Sequence, residues 1–165
     1  MNAHAIRETD LGEVVARAKP FLREAGLEES DPDRLARVVA LARENVTRLS
    51  ELPAEVEYLF GSAPKLDSEA LAALEQDSAP DVLLGLRTAL ADEPEWWTAE
   101  RFIEMLRSVG REVGGKGKEL YMPVRAALTG RTHGPSLGSI AELLGGREAG
   151  ARVARALEVA SGKEE

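Results

Sequence analysis

The chain has no cysteine, which removes disulfides, thiolate zinc sites and a cysteine nucleophile from consideration. Its two histidines, His4 and His133, lie far apart in the sequence and outside any His-x-x-x-His type of ligand spacing, so no metal site is expected. No apolar run approaches the roughly 20 residues that a membrane-spanning helix needs. The first residues, Met1 to Glu8, lack the apolar core of a secretion signal. A cytoplasmic protein with no membrane association is the expectation. No Walker loop occurs. Carboxylates are plentiful but fall on amphipathic helical patterns, where a solvated face is the default. No catalytic residue and no cofactor are therefore expected in this chain.

Aromatic residues are scarce, at 4%, and strand-like alternation is missing, whereas Ala, Leu, Glu and Arg dominate the 165 residues. That composition favours helix, and the expected fold class is all-α. With 44% hydrophobic residues the chain has enough apolar material for a core, in one domain or two small lobes. The net charge of −8 looks wrong for a nucleic-acid binder. Its distribution is uneven, however: residues 1–100 carry 10 Lys/Arg against 21 Asp/Glu, and residues 101–165 carry 11 against 8. A local basic footprint matters more to a polyanion than the whole-chain sum.

In chain order, Asp10-Leu-Gly-Glu13 has capping-box spacing and opens a helix ending near Gly26, with a kink or break expected at Lys19-Pro20. Ser30-Asp31-Pro32 caps a second helix running from Leu35 to Leu49 and closing before Pro53, and Ala54 to Phe60 makes a short third. Gly61 to Pro64 reads as a hinge, dividing an N-terminal helical subdomain, 1–62, from a C-terminal one, 63–165. Ser68 to Gln76 turns Leu71 and Leu74 inward; Ala79 to Ala91 turns in Val82, Leu83, Leu86 and Leu90. Thr98 caps a helix that buries Phe102, Ile103, Leu106 and Val109. One of Trp96 and Trp97, just ahead of that cap, serves as a hydrophobic staple, with core anchoring favoured over base stacking. Ile140, Leu143 and Leu144 close against a last helix carrying Val153, Ala156, Leu157 and Val159, and the tail frays from Ser161.

The stretch with the most to say runs from Gly114 to Gly145. The Gly114-Gly-Lys-Gly-Lys118 loop lacks the Gly-Lys-Ser/Thr ending of a phosphate loop. It reads either as a flexible connector or as a basic loop that hugs a phosphate backbone. A helix follows with Leu120, Val124, Ala127 and Leu128 on one stripe and Tyr121 and Arg125 on a neighbouring face. Pro123 is expected in its first turn. Thr129-Gly130 ends it, and the tight turn Arg131-Thr-His-Gly-Pro-Ser136 follows.

The segments Gly117-Lys-Glu-Leu-Tyr-Met-Pro-Val-Arg-Ala-Ala-Leu-Thr-Gly130, His133-Gly-Pro-Ser-Leu137 and Glu142-Leu-Leu-Gly145 resemble the C-terminal anticodon-binding region of bacterial glutamyl-tRNA synthetases. Met1-Asn-Ala-His-Ala-Ile-Arg-Glu8 and Pro53-Ala-Glu-Val-Glu-Tyr-Leu-Phe60 match further family segments, so the likeness covers nearly the whole chain. The class I synthetase signatures, of the His-x-Gly-His and Lys-Met-Ser-Lys-Ser types, do not occur. The resemblance therefore implies the tRNA-binding part of a glutamate–tRNA ligase without activity of its own, either a shortened piece or a separately encoded one. ATP and Mg would belong to the absent catalytic domain.

By the family's pattern, the fold is a two-lobed cage of helices that splays out anticodon bases, where unpaired edges can be stacked on and hydrogen-bonded. Arg125 matches the family's anticodon-contacting arginine. Gly134, Pro135 and Leu137 match the turn that packs on the bases, although some members have a hydroxyl residue where Gly134 stands. Arg43 matches a further family arginine. Asn45 aligns with a position that is arginine in members rejecting the glutamine anticodon. The implied partners are glutamate tRNA, with glutamine tRNA also accepted, and the catalytic domain of a parent synthetase; a monomer is expected. Two other readings stand beside it: the equivalent region of a class I lysyl-tRNA synthetase, and a helical protein–protein scaffold docking through its acidic half.

Overall fold

The computed structural model describes residues 1–61, 64–95 and 97–162. Among these residues the chain is helical throughout, with no strand, and divides into two compact units, Met1–Gly61 and Ser62–Glu165. Ser62 and Ala63 of the expected hinge, Trp96, and residues 163–165 lie outside the described residues. No helix is long and apolar enough to cross a membrane among the described residues.

The first unit contains α1 (Ala3–Glu8), α2 (Leu11–Glu24), α3 (Pro32–Ala42) and α4 (Leu52–Val56). Asn2 and Asp10 accept backbone N–H groups at the starts of α1 and α2, and Asp31 caps α3 with Pro32 at its first position. The C-terminus of α2 closes in a Schellman pattern, the Gly26 N–H donating to Arg23 and the Leu27 N–H to Leu22. Val14, Ala18 and Leu22 of α2 share a buried core with Leu35, Val38 and Val39 of α3 and Leu52 and Val56 of α4. Two expectations fail here. α2 does not break at Pro20 but runs through it as one 14-residue helix. The carbonyl that this proline leaves unpartnered belongs to Ala16, on the exposed face, where water can satisfy it. The second helix also stops short of Leu49, at Ala42, and gives way to 3₁₀ turns at Arg43–Asn45 and Leu49–Glu51. Between those turns the Thr47 hydroxyl donates to Glu51, which holds the Glu51 carboxyl below its usual pKa. Pro53 opens α4 instead of closing the helix before it.

The second unit is a bundle of α5 (Ser68–Leu74), α6 (Ala79–Ala91), α7 (Ala99–Val113), α8 (Lys118–Thr129) and α9 (Leu137–Ala160). α6 packs on α7, α8 and α9, and α8 packs between α5 and α9. α9 is two helices joined at a kink, Gly145 (φ 79°, ψ 165°), where the Gly146 N–H donates to the Glu95 carbonyl. Thr98 caps α7, and Trp97 forms the expected staple. Its ring meets Phe102 edge to face at 5.4 Å, and its indole N–H donates to the Ala141 carbonyl. The Glu142 carboxylate accepts the Ala99 N–H at the same helix start, a favourable place for negative charge. Leu71 is a correction: it is 36% exposed, and α5 buries Ala70, Ala73 and Leu74 instead. Ile103 is likewise only half-buried.

Pro123 also departs from expectation. It lies in the interior of α8, not in its first turn, because the helix begins at Lys118. The carbonyl four residues earlier, on Glu119, loses its helical donor and accepts a hydrogen bond from the Ser78 hydroxyl at 3.4 Å. The neighbouring helix start thus supplies part of what the proline removes.

Candidate nucleic-acid interface

The C-terminal half of α8 sets the position of Arg125. Val124, Ala127 and Leu128 are buried, which fixes the rotation of the helix and leaves Tyr121 and Arg125 half-buried along its flank. Arg125 reaches across the following turn, and its Nη1 donates to the Pro135 carbonyl at 2.7 Å. Gly134 lies against the same guanidinium: a Cβ built there would sit 3.6 Å from Arg125 Nη1. The cation and the proline corner therefore face each other directly.

The turn between them is anchored at several points. The Thr129 hydroxyl lies 2.8 Å from the Arg125 carbonyl and 3.1 Å from the Arg131 carbonyl, and it accepts the Arg131 N–H at 3.0 Å. The Gly130 carbonyl accepts the Asp67 N–H, and the Thr132 hydroxyl donates to Glu69 at 2.7 Å. His133 is exposed, with Nε2 3.6 Å from the same carboxylate. Only glycine fits at position 130. Its φ is 75°, and a Cβ would fall 2.1 Å from the Lys65 carbonyl oxygen. The turn thus sits flush against the segment leading into α5.

Beneath the turn lies a residue that the sequence reading missed. Arg152 has a side chain 1% exposed, pairs through Nε with Glu148 at 2.7 Å, and donates from Nη1 to the Leu128 carbonyl at 2.7 Å. A guanidinium at the last carbonyls of α8 satisfies groups that have no helical donor and complements the negative end of the helix. The signal was available: Ala149, Arg152, Val153 and Ala156 are all buried and share one helical face, with Glu148 four residues before the arginine.

The remaining expected residues fare differently. Leu137 is 5% exposed and opens α9 with its side chain in the bundle core. That burial gives it a packing role at the start of α9. Gly134 and Ser136 are exposed and Pro135 is half-buried, so the turn presents the bare backbone of Gly134 to solvent beside the exposed His133 and Ser136 side chains. Arg43 and Asn45 belong to the first unit. Arg43 is half-buried, and its Nη1 donates to the carbonyl of Thr9, the C-cap residue of α1. Asn45 ends the 3₁₀ turn with its side chain exposed. Chemically, the α8 turn combines a planar five-donor cation with a rigid corner of exposed backbone groups. No group of three or more His, Asp or Glu side chains is placed to hold a metal among the described residues.

Residues 13–157 match the family described as the anticodon binding domain. The glutamate–tRNA ligase of Natranaerobius thermophilus is 32% identical over 158 residues, covering 93% of this chain and 32% of that protein. The glutamate–tRNA ligase of Geobacillus thermodenitrificans is 36% identical over 162 residues, covering 95% of this chain and 33% of its own length. This chain thus spans about a third of the curated relatives it matches. The solved glutamate–tRNA ligase of Elizabethkingia meningosepticum shares the fold, with a TM-score of 0.82 at 20% identity over 95% of this chain and 31% of that one. A helical chain in which Arg125 grips a Gly-Pro turn, and which matches that family over residues 13–157, belongs to the anticodon-binding-domain family.

Proposed function

We propose that this chain is a tRNA-binding module that recognises the anticodon loop of glutamate tRNA, as the anticodon-binding part of a glutamyl-tRNA synthetase. The observation that carries the reading is the hydrogen bond of Arg125 to Pro135. It holds a guanidinium beside exposed backbone at a turn whose sequence carries the family likeness. Unpaired bases offer edges and faces to such a surface, and a guanidinium can stack on a ring while donating to its edge. Catalysis lies outside the reading: amino-acid activation and tRNA charging would belong to a separate catalytic domain, its proposed partner.

The first unit bears on which tRNA is accepted. Asn45 is exposed, uncharged and shorter than arginine, so it excludes a wrong third anticodon base less forcibly. Acceptance of both glutamate and glutamine tRNAs is the proposed specificity. Gel-shift titrations with the two unmodified transcripts, repeated at rising salt, test both parts. The expected outcome is a shift with each RNA, affinities within tenfold of one another, and weakening as salt screens the phosphates. A preference for glutamate tRNA of tenfold or more, about 1.4 kcal/mol, contradicts dual acceptance, and no shift with either RNA contradicts tRNA binding itself.

A further inference from the structure

One basic feature plays no part in the turn at Arg125. The Gly114–Lys118 loop folds back on α7 and walls a cleft of about 440 Å³ together with Arg107, Arg111 and Tyr121. Arg107 and Arg111 are four residues apart on α7 and so project from one face; Lys116 of the loop lines the same cleft. All three cations are exposed, and among the described residues none of them is in an ion pair or a side-chain hydrogen bond. The lining of the cleft includes no carboxylate. Like charges gathered this closely repel one another, and none of the three is in an ion pair among the described residues, although Arg111 also borders a second cleft lined by Asp92, Glu93, Glu104 and Glu112.

The shape of the wall is also specific. Gly110 lets the loop approach: a Cβ there would fall 2.9 Å from the Gly115 carbonyl oxygen and 2.8 Å from Leu120 Cδ2. Gly114 and Gly117 have φ of 77° and 60°, and a Cβ at either would meet nothing within 4 Å. The loop therefore presents bare backbone to the cleft, as groups that contact a phosphate closely require. Tyr121 lines the cleft and lies one turn before Arg125 on α8. From Gly117 to Arg125 the helix rises ~12 Å, a span of three to four stacked nucleotides at roughly 3.4 Å each.

We infer that the Arg107–Arg111–Lys116 cleft is a second contact site on this protein, binding phosphodiester groups of the RNA strand that continues from the anticodon loop held at Arg125. The inference rests on the reading of the chain as a tRNA binder. It adds a separation of labour: the α8 turn reads bases, and the α7 cleft grips backbone without regard to sequence.

The test titrates labelled glutamate tRNA transcript, and the same transcript with a scrambled anticodon, across 50 to 200 mM salt. The proteins are the wild-type chain, the triple variant R107A/R111A/K116A, and a control triple, R7A/K19A/R23A, with the same change in net charge. The double variant R107Q/R111Q serves should the alanine triple melt below the wild type. Loss of three phosphate contacts makes the plot of log affinity against log salt shallower by about 2. The wild type then loses about 16-fold more affinity over that salt range than the cleft variant, while the ratio between the two transcripts stays the same and the control triple keeps the wild-type slope. A cleft variant with the wild-type slope overturns the inference and leaves the tRNA-binding reading standing. An equal flattening in the control overturns it as well, since bulk charge then explains the effect. A wild-type chain that binds neither transcript overturns both readings.

Discussion

Two arginines of the second unit have opposite duties, and substitution separates them. Arg125 lies half-buried on the surface and reaches a carbonyl of the turn, whereas Arg152 is enclosed and ties the end of α8 to the last helix. Arg125→Ala is expected to weaken tRNA binding by ~1–3 kcal/mol with the melting temperature nearly unchanged, as read by anisotropy titration and thermal circular dichroism. Unfolding of that variant would mark the residue as structural. Arg152→Met keeps the volume but leaves the Leu128 carbonyl and the Glu148 carboxylate without this partner. A loss of about 3 kcal/mol in urea unfolding is expected; an unchanged midpoint would contradict the buried role. The first of these residues was legible because its motif carries a family likeness. The second was overlooked although its spacing offered a signal, Arg152 falling on the Ala149–Val153–Ala156 stripe four residues after Glu148; the facing carbonyl that explains it shows only in the fold.

At the scale of elements, periodicity located α6 and α7 well, since Val82, Leu83, Leu86, Phe102, Leu106 and Val109 are all buried as their spacing requires. It erred where local chemistry overrode it. Both interior prolines, Pro20 and Pro123, sit within helices, the one because its orphaned carbonyl faces solvent, the other because Ser78 donates to it. Neither compensation shows in the hydrophobic pattern. α3 ends early, at Ala42, and passes into a 3₁₀ turn at Arg43–Asn45, a change of helix type that apolar spacing does not record. The packing of Leu71 was likewise misread, because the small residues Ala70 and Ala73 fill the inward face of α5.

The approach to α7 carries an acid-sensitive contact. Arg101 donates to Glu93, and this holds the Glu93 carboxyl below the usual 4.5 of a glutamate. A depressed folded-state pKa gives stability that is fully present above the unfolded value and is lost as pH falls through the folded one. Stability is therefore expected to fall as pH drops below about 4.5, and Glu93→Gln flattens that part of the curve. The check is the melting temperature of both proteins between pH 3 and 7; parallel curves would contradict it.

For the molecule as a whole, the all-α class and the family were readable from sequence, since one stretch from Gly117 to Leu137 carries specific residues and the rest follows helical spacing. Which way those residues face was not readable. Leu137 shares the motif with Pro135, yet its side chain lies in the core while the proline corner looks out, a difference decided by where α9 begins. The net charge of −8 argued against RNA binding only so long as charge was summed. Resolved by position, it leaves three exposed cations, none of them in an ion pair among the described residues, around one cleft.

A surface that reads anticodon bases, as distinct from one that only attracts RNA, tells one anticodon from another. The direct measurement is the ratio of affinities of the wild-type chain for glutamate tRNA and for the same tRNA with its anticodon scrambled, at one fixed salt concentration. The account predicts a ratio of at least tenfold, about 1.4 kcal/mol, that collapses toward unity in Arg125→Ala. Equal affinities for the two transcripts in the wild type would contradict it.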